Sequence, residues 1–308
     1  MNRLLFLFSF LVLIPLAGAD PPVQRPLVFG MTPIVGVEAT RQRFQPLVRL
    51  LGSKLGRPLQ LQVADSYRAL IDDMVAGRID LAKLSPLSYV RARRRSRAIE
   101  LLATQVANGS TSYSSYLVSV AERRIRPLAE WRSARLCFAD PDSTSGYLLP
   151  ADYLLARGIN PFEHFAAVEF AGNHRACLEG LFADRYDLVA TFSGAIRDAR
   201  QAGLPVGELV IVAKAGRIPY DAYCARADLP ASLKQALRQA LLSINTLDRQ
   251  GRRALEPTLG INGWITGNDT AYDRLRQVEE RVRSRLGDRP AGKAAAAPIA
   301  PAGQTDNH

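Results

Sequence analysis

Three consecutive hydroxyl residues, Ser143, Thr144 and Ser145, followed by Gly146, form the segment of this chain best suited to chemistry. They lie between an apolar run that predicts a strand end and a helix predicted over 147–157. A helix N-terminus has unpaired backbone N–H groups and the positive end of the helix dipole. With hydroxyl donors added, and a glycine that allows close approach, this pattern favours binding of a phosphate-like anion. A simple N-cap and turn has the same sequence signature, and that alternative stays open.

Strands and helices alternate on both sides of this motif, which is typical of an α/β domain. Before the motif, the predicted strands are 27–31, 59–63, 79–82 and 99–105, and the predicted helices are 40–55, 67–76 and 86–97. From the motif onward, the predicted strands are 136–139, 168–170, 187–191 and 209–213, and the predicted helices are 147–157, 174–182 and 194–201. Three more helices are expected at 233–246, 251–255 and 272–286.

Two long extended segments, 112–120 and 218–225, flank the second set of elements. This arrangement predicts two lobes joined by a two-strand hinge, with a ligand cleft between them. The first lobe is expected to comprise 26–115 and 222–286. The second lobe is expected to be the inserted segment 116–221.

The two ends of the chain differ from the rest. Arg3, an apolar run over 4–16 and the small residues before Asp20 predict a secretory signal over 1–19, and hence a periplasmic protein. The apolar run is short for a membrane span. The alanine-rich end, 287–308, has no periodic apolar face and is expected to be disordered.

The formal net charge of the 308 residues is +11, with one dense basic run over 91–97. Such a charge is compatible with nucleic-acid binding. No aromatic residues are interleaved with the run, so a solvated basic helix face is the preferred interpretation, and we expect no nucleic-acid partner.

The few cysteines and histidines limit which disulfides and metal sites the chain can form. The chain has Cys137, Cys177 and Cys224, of which two can pair in an oxidising compartment. The apolar surroundings of Cys137 and Cys224 instead favour buried free thiols. With three histidines and scattered cysteines, neither a metal site nor a cofactor is expected.

Eight short phrases run in order along almost the whole chain after residue 26: Phe44-x-Pro46-Leu47, Tyr67-x-x-Leu70, Gly77–Ala82, Pro86–Tyr89, Tyr113–Tyr116, Asp140–Gly146, Gly172–His174 and Arg217–Asp221. On these phrases the chain resembles the phosphonate-, phosphite- and phosphate-type periplasmic substrate-binding proteins of ABC importers. The most specific of them is the Ser-Thr-Ser-Gly motif followed by Gly-Asn-His. The resemblance implies a two-lobed, type II-like periplasmic binding protein fold, with no catalysis.

The resemblance also implies which side chains hold the ligand: Tyr67, Tyr89, Ser143, Thr144, Ser145, His174 and Asp221. The hydroxyl residues and His174 would donate to the oxyanion from one lobe, and the two tyrosines from the other. Asp221 would accept a hydrogen bond from a protonated ligand oxygen, which a fully ionised sulfate lacks.

Three positions depart from the family pattern. Members that bind aminoalkylphosphonates hold the ammonium group with an acid near the position of Gly194, and this chain has no acid there before Asp198. We therefore expect a ligand without an amine, since an unpaired buried ammonium is costly. Phe192 would narrow or dry the pocket. Lys83 would add charge at the cleft mouth or point to solvent.

The leading hypothesis is a periplasmic receptor, expected to be monomeric, that closes on a small phosphorus oxyanion and delivers it to an ABC permease. A sensor that presents its closed form to a membrane histidine kinase is the second hypothesis. The third is a hydrolase, with Ser143 or Ser145, His174 and Asp142 as a triad. No nucleophile-elbow motif supports the third hypothesis.

Overall fold

The computed structural model describes residues 25–123, 127–258 and 260–287. The predicted signal at 1–19 and all but the first residue of the predicted disordered end lie outside the described residues. Within those three ranges, no helix combines the length and apolarity needed to cross a membrane.

The first lobe is built on a six-stranded mixed sheet. Its strands, in chain order, are β1 Leu27–Met31, β2 Leu59–Val63, β3 Leu81–Leu84, β4 Ile99–Ala107, β10 Ala222–Arg226 and β11 Ile261–Thr266. Their spatial order is β11-β4-β10-β3-β1-β2. The pairs of β1 with β2 and β3 are parallel, whereas β10 and β11 run antiparallel to their neighbours. The sequence did not predict β11.

The second lobe is built on a five-stranded mixed sheet. Its strands are β5 Ser112–Val120, β6 Arg135–Phe138, β7 Ala167–Phe170, β8 Leu188–Phe192 and β9 Leu209–Pro219. The spatial order is β7-β6-β8-β5-β9, with β6 parallel to β7 and β8, and β5 antiparallel to β8 and β9.

Ten helices among the described residues cover these sheets. They are α1 Val37–Leu55, α2 Tyr67–Val75, α3 Pro86–Arg95, α4 Leu149–Leu155, α5 Pro161–His164, α6 His174–Phe182, α7 Ser193–Gln201, α8 Ala231–Ser243, α9 Arg249–Leu255 and α10 Asp273–Leu286. Apolar side chains of α1, α8 and α9 form one core with the first sheet, and those of α6 and α7 form another with the second. A third core contains residues from both lobes.

The chain crosses between the sheets twice, at 108–111 and at 220–221. All of β5 pairs with β9, from Ser112 opposite Pro219 to Val120 opposite Leu209. The first crossing therefore comes earlier than the sequence predicted, because 112–115 already belong to the second sheet. The two short crossings lie side by side, since Tyr220 N donates to Thr111 O at 3.1 Å.

Helix α10 contacts both lobes after the chain has left β11. Its apolar face is buried in the shared core with residues of α4, and Glu279 pairs with Arg94 of α3 at 2.7 Å. On the other side, Arg281 pairs with Asp152 of α4 at 3.1 Å. This helix is a third connection between the lobes.

A disulfide joins Cys137 of β6 to Cys177 of α6. The expectation of a free Cys137 thiol was wrong, because α6 packs on the second sheet and brings its Cys177 next to β6. Cys224 is a buried free thiol, as expected. The disulfide links the strand that precedes the hydroxyl motif to the helix that begins at His174.

The disulfide closes a loop with a sequence separation of 40 residues. Replacing both cysteines by alanine (Cys137→Ala/Cys177→Ala) should lower the free energy of unfolding by about 3 kcal/mol, because the unfolded chain regains loop entropy. Urea unfolding followed by circular dichroism measures this change. A reductant should cause the same loss of stability in the wild type and leave the double variant unaffected. Equal urea midpoints for the oxidised wild type and the variant would contradict the prediction.

Candidate functional site

A cavity of about 40 Å³ lies between the lobes, next to both crossings. Polar groups reach it from each lobe. The first lobe contributes Lys83, Ser85 and Gln105, together with Tyr67 at the start of α2. The second lobe contributes hydroxyl groups and a histidine: Tyr113, Ser143, Thr144, Ser145 and His174.

The hydroxyl motif begins the helical segment that follows β6. A π-helical turn, Thr144–Leu148, precedes α4, and the Ser143 side chain caps it by accepting from Gly146 N at 3.0 Å. A side chain at Gly146 would clash, since its Cβ would lie 2.8 Å from His174 Cε1 and still closer to Ala139 Cβ. The glycine therefore lets the turn pack directly against the histidine. As predicted, the hydroxyl groups lie at a helix N-terminus, whose first N–H groups have no intrahelical partner.

His174 lies at the start of α6 with its ring against this turn. Its Nε2 atom is 3.4 Å from the hydroxyl oxygens of both Ser143 and Ser145. Burial lowers the pKa of His174 to about 3, so the ring is neutral at physiological pH. Its backbone N–H donates across the cleft to Ile34 O at 3.2 Å. The neutral ring is thus held where one of its nitrogens meets the serine hydroxyls.

Aromatic side chains form the other wall of the cavity. Tyr113 of β5 stacks on Tyr220 with ring centroids 4.9 Å apart, and its ring lies 5.3 Å from that of Phe192. Tyr67 is buried beside them, and burial raises its pKa well above the usual range, with smaller contributions from the nearby carboxylates. Both Tyr67 and Tyr113 are therefore neutral and keep a phenolic donor.

Tyr89 is not among the cavity residues, although the sequence predicted a ligand contact there. Its ring packs against Tyr272 with centroids 4.8 Å apart, and its hydroxyl donates to Asp269 at 2.5 Å. Tyr113 lines the cavity instead. Alternation along β5 carried a signal for it, because Tyr113 and Ser115 share a face and Ser115 Oγ donates to Ser145 O at 2.8 Å.

Lys83 and Asp221 form a buried ion pair in the cavity wall. Lys83 belongs to β3 and is 2% exposed, and Asp221 lies in the second crossing. The sequence placed Lys83 at the cleft mouth or in solvent. That expectation was wrong, because β3 is a central strand of the first sheet and its side chains are buried on both faces.

Asp142, next to the hydroxyl motif, is bound by arginines of the first lobe. Its carboxylate accepts from Arg91 at 2.5 Å and from Arg68 at 3.1 Å. No hydrogen bond to His174 is formed by this carboxylate. The histidine is therefore not oriented by Asp142, and the hydrolytic triad considered from the sequence is not assembled. Six of the seven side chains that the resemblance implies line the cavity, and Tyr89 does not.

Asp140 is the second carboxylate of this loop. It is buried, and burial raises its pKa to about 7, although one oxygen accepts from Asp142 N at 2.7 Å. Its ordinary pKa is near 3.8. The loop therefore contains one carboxylate paired with arginines and another that holds its proton into the neutral range.

Gly194 lies at the cavity beside Phe192, where the sequence lacks an acid. A Cβ at Gly194 would lie 3.1 Å from the Phe192 Cζ atom, so the phenyl ring occupies the space that a side chain would need. Across the described ranges, no group of three or more histidine, cysteine or acidic residues is arranged to hold a metal ion.

The sequence model of one family, the periplasmic substrate-binding protein of phosphonate ABC transporters, matches residues 29–272. The chain belongs to this family. Its relatives include a phosphonates-binding periplasmic protein of Escherichia coli K12, which is 27% identical over 278 residues, covering 88% of this chain and 81% of that protein. A phosphate-import protein of Mycolicibacterium smegmatis is 31% identical over 119 residues, which are 38% of this chain and 37% of that protein.

The fold recurs in solved structures. The binding component of a phosphonate ABC transporter from Pseudomonas aeruginosa superposes with a TM-score of 0.77 at 21% identity, over 84% of this chain and 87% of that one. Two-lobed architecture is thus shared with periplasmic substrate-binding proteins. Proteins of this family are receptors for solutes and not enzymes, and the family implies a periplasmic location and a membrane permease as partner.

Replacing Asp140 by asparagine should stabilise the protein at high pH. A folded-state pKa raised from 3.8 to about 7 means that stability is lost as the pH rises through this interval. The asparagine does not ionise, so the variant does not lose this stability, and its side-chain oxygen still accepts from Asp142 N. It should exceed the wild type in unfolding free energy by at most about 4 kcal/mol at about pH 8, and match it near pH 4.

Chemical denaturation at a series of pH values measures the difference between the two proteins. The opposite effect of His174, whose lowered pKa removes stability as the pH falls below 6.5, is the same in both and cancels. A difference that does not change with pH would contradict the prediction.

Proposed function

We propose that this protein binds a small phosphorus oxyanion without an amine in the interlobe cavity and delivers it to an ABC permease. The observation that carries the proposal is the convergence of Ser143, Ser145 and neutral His174 on one point of a buried helix N-terminus. A buried N-terminus of this kind needs an acceptor, and an oxyanion supplies several. The names of the curated relatives, a phosphonate binder and a phosphate importer, support this ligand class.

The donor geometry suits a tetrahedral anion. Hydroxyl groups converge from the turn at Ser143–Ser145, while Tyr67 and Tyr113 enclose the cavity from other elements. The hydroxyl groups of the turn and of Tyr67 are buried and Tyr113 is partly buried, so their hydrogen bonds to an anion form in a medium of low dielectric constant. The small cavity volume limits the ligand to a few heavy atoms in the closed arrangement.

Closure couples binding to a change in shape. The ligand would contact Tyr67 and Lys83 from the first lobe and the hydroxyl motif from the second, so it favours the arrangement in which both are present. The crossings at 108–111 and 220–221 are short, and they lie where a rotation between the sheets would be absorbed. A permease that distinguishes closed from open receptors would accept the loaded form.

Ser145→Ala should weaken binding of methylphosphonate by about 1.5–3 kcal/mol, roughly ten- to a hundredfold, because a donor to a charged ligand is lost. Isothermal titration calorimetry measures the dissociation constant. The matched control is Ser119→Ala, another buried serine of the second lobe, whose hydroxyl donates to Asp187 O at 2.7 Å far from the cavity. The control should lose stability and keep its affinity, and equal affinities for all three proteins would refute the site.

The wild type should bind methylphosphonate at least about tenfold more tightly than 2-aminoethylphosphonate, because no carboxylate near Gly194 offsets the burial of an ammonium group. Competition calorimetry with both ligands measures this preference. Phe192→Ala combined with Gly194→Glu supplies the missing acid and the space for it, and should shift the preference toward the amine. Tighter binding of 2-aminoethylphosphonate by the wild type would overturn this part of the proposal.

A further inference from the structure

Among the described residues that line the cavity, the only lysine, arginine or carboxylate side chains are those of Lys83 and Asp221. Both are buried, at 2% and 8% exposure, and they are paired with each other. The cavity wall therefore has one positive and one negative group, and these cancel.

The Lys83 ammonium is only partly satisfied by the protein. It has three N–H donors, and within the described ranges its one hydrogen-bond acceptor is Asp221. The ammonium also lies over the face of the Phe44 ring, with the nitrogen 5.7 Å from the centroid. Because buried N–H donors are costly when they lack an acceptor, an ammonium in the wall of an anion cavity indicates that a ligand oxygen is a further acceptor.

We propose that Lys83 determines the charge of the ligand: the cavity takes a fully ionised phosphorus dianion, one oxygen of which accepts from the Lys83 ammonium. This inference rests on the proposed function and specifies the ligand's protonation state. An unpaired carboxylate at Asp221 would repel a dianion and require a ligand that brings its own proton. Because Lys83 neutralises that carboxylate, the remaining donors of the cavity favour the more highly charged species.

The groups around the pair leave the ligand as the main titrating species. His174 has its pKa lowered to about 3 by burial and is neutral throughout. Tyrosines around the pair have pKa values raised, chiefly by burial, and also stay neutral: Tyr67, Tyr113, Tyr220 and Tyr223. Arg197 lies near Tyr220, and its positive charge opposes the rise of the Tyr220 pKa. Asp140, with its pKa raised to about 7 by burial, is the exception, and its ionisation at higher pH opposes binding of an anion.

The test is calorimetry with methylphosphonate at about pH 5.5 and about pH 8.5, since a phosphoryl group loses its second proton near neutrality, at about pH 6 for a phosphate monoester. With a second pKa of about 6, the dianion fraction rises from about one quarter to nearly one between these pH values, so the wild-type affinity should rise by up to about fourfold. In Asp140→Asn, the rise should be steeper, because the opposing ionisation is removed.

Two variants separate the roles of the ion pair at about pH 8.5. Asp221→Asn leaves the ammonium free and should bind at least as tightly as the wild type. Lys83→Met should weaken binding at least about tenfold, the value of a hydrogen bond to a charged group. Because Lys83→Met leaves a buried carboxylate unpaired and can fail to fold, Lys83→Met/Asp221→Asn provides the uncharged comparison, and it should also bind at least about tenfold more weakly than the wild type.

The outcomes distinguish a failure of the inference about Lys83 from a failure of the proposed function. If affinity falls with pH in Asp140→Asn as well as in the wild type, or if Asp221→Asn loses binding, Asp221 accepts a ligand proton and the inference about Lys83 is overturned while the proposed function stands. An uncharged double variant that matches the wild type would likewise overturn the role of Lys83. If the folded wild type binds neither methylphosphonate nor phosphate nor phosphite at either pH, the proposed function fails, and this inference fails with it.

Discussion

The closed arrangement of the two lobes depends on the buried carboxylate of Asp142. This side chain belongs to the second lobe, yet its partners, Arg91 and Arg68, belong to the first. Glu279 of α10 shares Arg91 at 3.2 Å, so three parts of the chain meet in one network. Removing one partner from a buried pair leaves an uncompensated charge and costs several kcal/mol. Because Ser143 follows Asp142 directly, the same network of ion pairs holds the hydroxyl motif next to the first lobe.

One carboxylate lines the proposed anion site and two lie in the loop before its hydroxyl motif, and each of the three is neutralised in a different way. Asp142 is paired with arginines, Asp221 with a lysine, and Asp140 keeps its own proton into the neutral range. An anion site needs this compensation, since like charges at short range disfavour one another. The three solutions differ in kind: the arginine pairs are structural, the lysine faces the cavity, and the protonation depends on pH.

Local patterns predicted most of the fold because periodicity and glycine punctuation describe short segments well. Strand β5 and helix α6 were predicted with the bounds that the structure has. Strand β11 was missed, because Gly263 interrupts its apolar pattern and its pairing with β4 is irregular there. The hydroxyl motif and His174 were found because a helix N-terminus has a local signature. The position of Tyr89 and the Cys137–Cys177 pairing required tertiary information, namely which face of an element meets which neighbour.

Helix α10 gives the molecule a third tether in addition to the two crossings. A rigid helix cannot stay in contact with two lobes that move apart. Opening of the cleft therefore requires that α10 slide along one lobe or lose its contact with it. Toward the first lobe it holds the buried Glu279, paired with two arginines; toward the second it has the more exposed Arg281–Asp152 pair and an apolar contact. Exposed ion pairs contribute little, and apolar surfaces can slide without losing partners of defined direction. On opening, the C-terminal helix would therefore stay with the first lobe, and its contact with α4 would be the one that slides or separates.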